Sequence, residues 1–340
     1  MISYREDAEK TTAYKKEYAD GIIKLIENRQ KEAEKARCAY AKDIFKNTEK
    51  YRAAFKEMLG WPLVGHKDDS RPAASFEKLA DEENCEIYRV RLAVIDELTL
   101  TGLFFRQKGD EKRPLIIAQH GGLGTPELIS GVYGDTGNYT RFPERILKRN
   151  VHVFCPQLLL WADAYNVPFS RGDIDNRLKR VGSSIAALEV YALTRVLDYF
   201  EEEIYVSVFG MAGLSYGGFY TQYAMAADTR ILAGISCSYF LKRDKAPWGD
   251  WTWKNSAYLF DDAEIACLVY PRNLSLLMGK SDELFDWHDS ADSFERVKQL
   301  ADGVGTDWIG LELFEGVHEY PENDDAIERM LACLRARVNA

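Results

Sequence analysis

The segment Gly213-Leu214-Ser215-Tyr216-Gly217 restricts what this chain can fold into more than any other. It lies between an apolar run, Ile204–Met211, and a helical stretch at 217–227. A serine on a tight strand-to-helix turn is forced into strained backbone angles, and glycines two positions before and after it leave room for the neighbouring strand and helix. Such a turn lifts the Ser215 hydroxyl above the carboxyl edge of a sheet. It also aims the Tyr216 N–H and the helix N-terminus at negative charge developing beside that hydroxyl.

The rest of the chain supplies the sheet this turn requires. Glu86–Ile95 and Leu98–Gln107 read as adjacent strands, antiparallel if the Asp96-Glu97 turn is tight. Leu115–Gln119, Val151–Pro156, Ile204–Met211, Ile231–Ser236, Leu274–Met278 and Ile309–Phe314 are compact apolar runs of the kind buried in a parallel sheet. Helical stretches near 139–149, 182–200, 217–227, 289–301 and 323–337 alternate with them. This alternation predicts an α/β fold with a mostly parallel, doubly wound sheet covered on both faces.

Residues 4–59 lack Pro, contain only Gly21 and are rich in Ala, Glu and Lys, so two or three helices should precede the core. Ile22, Ile23 and Ile26 suggest one buried stripe; Ile44, Phe45, Phe55, Met58 and Leu59 suggest another. The Gly60-Trp61-Pro62 break and the polar stretch to Pro72 read as a linker. The expected organisation is a helical extension and linker over 1–84 and a catalytic domain over 85–340, with 237–272 as a lid or insertion.

A serine hydroxyl is a weak nucleophile at neutral pH and needs an imidazole as base. Of His66, His120, His152, His288 and His318, only His318 follows the last predicted strand, where a loop at the carboxyl edge can bring it to Ser215. The imidazole in turn needs a carboxylate to fix its tautomer. Asp282 follows the preceding strand and leaves the same edge, with Glu283 and Asp286 as competing choices. The loop His120-Gly121-Gly122-Leu123-Gly124 follows the strand Leu115–Gln119, so the amides of Gly121 and Gly122, with that of Tyr216, are candidate donors to an oxyanion. Trp161, Trp251 and Trp253 are candidate substrate contacts, although the aromatics of the insertion can equally serve as its packing.

Taken together, His120-Gly121-Gly122, Gly213-Leu214-Ser215-Tyr216-Gly217, Gly279-Lys280-Ser281-Asp282 and Gly316-Val317-His318 resemble the α/β-hydrolase superfamily over roughly 85–338. The order nucleophile, acid, histidine is also that of the superfamily. Within it the chain is similar to the branch of acetyl-xylan esterase-like and dienelactone hydrolase-like enzymes. That resemblance implies hydrolysis of a small carboxylic ester without a cofactor. Dienelactone hydrolases carry cysteine at the nucleophile position; Ser215 departs from them and favours an ordinary esterase.

Other classes fit less well. Leu274 stands where a P-loop ending in Gly279-Lys280-Ser281 needs its first glycine, and Glu127 stands where Gly122-Leu123-Gly124 needs the last glycine of a dinucleotide motif. Glu322 replaces the second histidine of a zinc-protease motif, so no metal is expected. A net charge of −10 disfavours nucleic acid. No apolar run is long enough for a membrane, and six dispersed cysteines fit reduced thiols in a cytoplasm. A homo-oligomer through the N-terminal helices is a reasonable expectation. A serine peptidase of the same fold and a non-catalytic binding protein on a hydrolase scaffold are the alternative readings.

Overall fold

The computed structural model describes residues 7–62, 70–134, 137–161, 169–246 and 248–338. Part of the expected linker, with His66, lies outside them. Two helices come first: α1 (Ala8–Tyr40), capped by the Asp7 side chain, and α2 (Thr48–Leu59), closed by Gly60 in the left-handed region at φ 81°. Strands β1 (Ala74–Asp81), β2 (Cys85–Ile95), β3 (Leu98–Gln107) and β4 (Arg113–Gln119) follow. Then come α3 (Pro126–Ser130), α4 (Phe142–Leu147), β5 (His152–Pro156), α5 (Arg171–Arg180), α6 (Ile185–Phe200), β6 (Val206–Leu214) and α7 (Tyr216–Ala227). The chain continues with β7 (Ile231–Cys237), α8 (Asp262–Cys267), β8 (Asn273–Gly279), α9 (Trp287–Leu300), β9 (Ile309–Phe314) and α10 (Asp325–Val338).

The nine strands form one sheet in the order β1-β2-β3-β5-β4-β6-β7-β8-β9. From β5 across to β9 every pair is parallel, while β1, β2, β3 and β5 pair antiparallel. The expected hairpin is present, with Ile95 opposite Leu98 and Asp96 at φ 48° in the turn. Every residue of β4 and β5 is buried, as expected of strands covered on both faces. Side chains alternate between two cores: Met211 packs in one with α2, α6 and α7, and Ala212 and Leu214 in the other with α4 and α10.

Two expectations are corrected. Residues 74–81, placed before the domain, form β1, and the sheet therefore begins ahead of residue 85. As an edge strand β1 is largely exposed, so its sequence lacks the apolar run that marks the inner strands. Ile22, Ile23 and Ile26 are 41%, 54% and 51% exposed, because α1 buries only Ala33 and its N-terminal part does not lie on the core. The second stripe does pack: Phe55 is fully buried against Tyr223, with ring centroids 5.4 Å apart. Arg171–Arg180 forms helix α5, capped by Ser170.

Register places the chemistry on one edge. Gln119 pairs with Gly213, Leu214 with Cys237, Cys237 with Leu277, and Gly279 with Phe314, so the loops after β4, β6, β8 and β9 leave the sheet side by side. No helix among the described residues is long and apolar enough to cross a membrane.

Candidate active site

Ser215 sits between β6 and α7 at φ 61°, ψ −120°, a conformation that costs a non-glycine residue about 1–3 kcal/mol. The surroundings enforce it. The Ser215 N–H donates to the Cys237 carbonyl at 2.9 Å. A Cβ on Gly213 would lie 2.4 Å from the Gly217 carbonyl carbon, and one on Gly217 would lie 2.3 Å from the Gln119 carbonyl oxygen. Only glycine fits at either position, which is the physical content of the spacing noted in the sequence.

The acid and the imidazole meet on neighbouring loops. His318 Nδ1 lies 2.9 Å from Asp282 Oδ2. The other carboxylate oxygen, Oδ1, accepts from the N–H groups of Leu284 at 2.9 Å and Phe285 at 3.0 Å. Burial would push the Asp282 carboxyl up, but the hydrogen bond and charge of His318, with those two amides, hold it below the usual carboxylate range. Of the competing acids, Glu283 accepts the His318 backbone N–H at 3.3 Å and Asp286 pairs with His288, so neither touches the His318 ring. The two halves of the site join at Cys237: its carbonyl holds Ser215, and its thiol donates to the Glu319 carbonyl at 3.3 Å, one residue past His318.

The loop after β4 is clamped. Buried His120 accepts the Leu158 N–H at Nε2, 3.0 Å away, and its Nδ1 lies 2.9 Å from the Gly121 carbonyl, a pairing that requires the Nδ1–H tautomer. Burial pushes this imidazole down to about 4, so it is neutral near pH 7. The Tyr139 hydroxyl accepts the Gly121 N–H at 2.7 Å and donates to the Gly122 carbonyl at 2.9 Å. This corrects one expectation: the Gly121 amide is engaged by Tyr139 and is not available to an oxyanion. The amides of Gly122 and Tyr216 have no acceptor among the described residues. The Gly121 backbone itself abuts Ser215, since a Cβ there would lie 3.0 Å from Ser215 Cβ.

The three tryptophans separate. Trp161 is 38% exposed and lies over Gly122, with its ring 5.3 Å from that of Tyr216. Trp251 and Trp253 are buried at 0% and 8%: Trp251 stacks on Phe219 at 5.3 Å, and Trp253 packs under the Arg243 guanidinium at 4.9 Å. Both are core packing, a correction to their expected role as substrate contacts. Half-buried Trp248 stands in their place near the site, 5.7 Å from Tyr216 and 5.7 Å from Phe285, whose ring lies 5.5 Å from His318.

A buried clasp beneath the elbow has no signature in the sequence. Arg171 donates from Nε to Asp250 at 2.6 Å and from its terminal nitrogens to the Leu159 carbonyl at 2.8 Å and the Tyr220 hydroxyl at 2.7 Å. It also pairs with Glu189 at 2.8 Å. The Tyr216 hydroxyl donates to Asp250 at 3.0 Å, so the residue whose amide faces Ser215 is tethered at its far end. No group of three or more His, Cys, Asp or Glu able to hold a metal occurs among the described residues.

No protein-family model matches the chain, and no curated protein matches it significantly. Solved structures do. A Bacteroides fragilis protein assigned as an acetyl xylan esterase superposes with a TM-score of 0.66 at 16% identity, covering 86% of this chain and 83% of that one. A glucuronoyl esterase from Solibacter usitatus gives 0.61 at 15% identity, covering 85% and 93%. Acetyl xylan esterase 1 from a Thermoanaerobacterium species gives 0.56 at 13%, covering 83% and 93%. The chain has the α/β-hydrolase fold of these esterases.

Proposed function

We propose that the chain is a serine hydrolase of carboxylic esters, with Ser215 as nucleophile, His318 as general base and Asp282 orienting the imidazole. The observation that carries this reading is the 2.9 Å Asp282–His318 pair on the loop beside a strained Ser215. In the first step the Ser215 oxygen attacks the ester carbonyl carbon while its proton passes to His318. The oxyanion is held by the amides of Tyr216 and Gly122. Collapse expels the alcohol, which takes the proton back from His318, and leaves an acyl-enzyme on Ser215. Water, deprotonated by His318, then releases the acid and restores the serine. The ionised Asp282 stabilises the imidazolium in both halves.

The structural neighbours named as acetyl xylan and glucuronoyl esterases support an ester as the scissile group. The full chain is expected to hydrolyse p-nitrophenyl acetate and to be labelled on Ser215 by a fluorophosphonate. Ser215→Ala should abolish both with unchanged circular dichroism. Undiminished turnover in the variant overturns the assignment, and faster cleavage of peptide amides than of esters selects the peptidase reading. Absence of both labelling and turnover selects the binding-protein reading.

A further inference from the structure

We propose that the ester bound here is uncharged and bears bulky apolar or aryl groups, selected by Leu123, Trp161, Leu284 and Val317. This rests on the hydrolase reading above and adds the substrate class. The loops after β4, β5, β8 and β9 present Leu123, Trp161, Leu284 and Val317 to solvent, at 45%, 38%, 49% and 47% exposure respectively. Their loops leave the same edge of the sheet, two of them beside Gly122 and two beside the Asp282–His318 pair, and we read the four as the apolar rim of one ligand groove.

All four are tied to the catalytic groups. The Leu123 N–H donates to the Trp161 carbonyl at 2.7 Å, and the Trp161 indole lies over Gly122 and against Tyr216, the two residues with candidate oxyanion amides. On the other side, Leu284 donates its N–H to Asp282, and Val317 precedes His318. Leu123 and Trp161 therefore stand beside the carbonyl being attacked, and Leu284 and Val317 beside the imidazole that protonates the departing alcohol.

The charges nearby disfavour an anionic substrate. Arg171 is buried and neutralised by Glu189 and Asp250, and Lys280 is paired with Glu315. Glu283 is exposed next to Asp282, where it repels a carboxylate or phosphate. Against this rim, the hydroxyls of an acetylated sugar would be stripped of water by apolar side chains that offer no hydrogen bond in return.

The test is a parallel kcat/KM series on the full chain with p-nitrophenyl acetate, butyrate and hexanoate, 1-naphthyl acetate, an acetylated methyl xyloside and a uronate methyl ester. The expected rise is up to about fourfold per methylene along the acyl series. Naphthyl acetate should exceed the xyloside and the uronate ester by about tenfold or more. Trp161→Ala and Leu284→Ala should lower the hexanoate value about tenfold more than the acetate value. A flat acyl series, preference for the xyloside or the uronate, or equal losses on all esters, with Ser215 still labelled by fluorophosphonate, overturns this proposal alone. No turnover and no labelling overturns the hydrolase reading with it.

Discussion

The Ser215 half of the site and its Asp282–His318 half are built by opposite means. Ser215, the Gly121-Gly122 loop and Tyr216 are held from below by buried groups contributed by many elements: Tyr139, His120, Arg171, Asp250 and Glu189. Asp282 and His318 are held by fewer, shorter-range contacts between two adjoining loops: their own pairing, the Leu284 and Phe285 amides on Asp282, the Phe285 ring 5.5 Å from His318 and the Ser281 N–H to the Gly316 carbonyl at 2.9 Å, with Glu283, Leu284 and Val317 exposed alongside. Positioning in the first half is therefore inseparable from folding, whereas in the second it rests on contacts within two neighbouring loops. Catalysis and stability should respond differently to damage in each.

The sharpest contrast comes from Asp282→Asn. Loss of the carboxylate leaves the wrong imidazole tautomer and no counter-charge, and kcat should fall about 10⁴-fold, as for the same change in a serine protease triad. The urea midpoint should fall only modestly, by the contribution of the lowered Asp282 carboxyl. A loss below tenfold would show that a different group orients His318.

Tyr139→Phe lies across the comparison. It leaves the Gly121 N–H and the Gly122 carbonyl unpaired in a buried place, which costs about 1–3 kcal/mol, and frees the loop bearing one oxyanion donor. The expected result is a kcat loss of up to about 10²-fold with KM little changed, accompanied by a lower urea midpoint. Full activity would exclude Gly122 from the oxyanion hole.

Asp250→Ala should act mainly on stability. It removes the acceptor of the Tyr216 hydroxyl and one of two counter-charges of Arg171, a loss of about 1–3 kcal/mol in urea unfolding, with a smaller kcat effect than Tyr139→Phe. A kcat loss without a stability loss would mean that the clasp touches substrate directly.

Acidification should lower stability through two buried histidines before it reaches Asp282. His120, at the carboxyl end of β4, and His152, at the opposite end of the sheet where β5 begins, are both pushed down to about 4 by burial, whereas an unfolded imidazole takes up its proton near 6.5. Between those values the unfolded chain binds more protons, so stability declines as pH falls through the window. The lowered Asp282 carboxyl works on a lower range: its contribution is present above the unfolded carboxylate value and is lost only as pH falls through the depressed folded one. Urea midpoints from pH 7 to 4.5 should decline steadily; a flat profile would mean that the two histidines protonate without unfolding. Glu283→Gln is the smallest change, within about threefold in kcat, because that side chain meets only the His318 backbone. A fall as large as that of Asp282→Asn would reverse the two roles.

Local sequence determined the elbow, the inner strands, the helices around them and the order Ser215, Asp282, His318, because tight turns demand glycine and buried strands demand apolar runs. It could not choose among adjacent acids: Asp282, Glu283 and Asp286 fall within five residues, and only the path of the loop after β8 turns one of them toward the imidazole. Nor could it mark β1, whose edge position leaves no apolar signature, or tell exposed Trp161 from buried Trp251. Tyr139 and Arg171 are far from their partners in sequence, and a hydrogen bond between distant residues imposes no spacing on either. Tertiary structure alone decides such pairings, since it fixes which polar groups are brought out of water together and must satisfy one another.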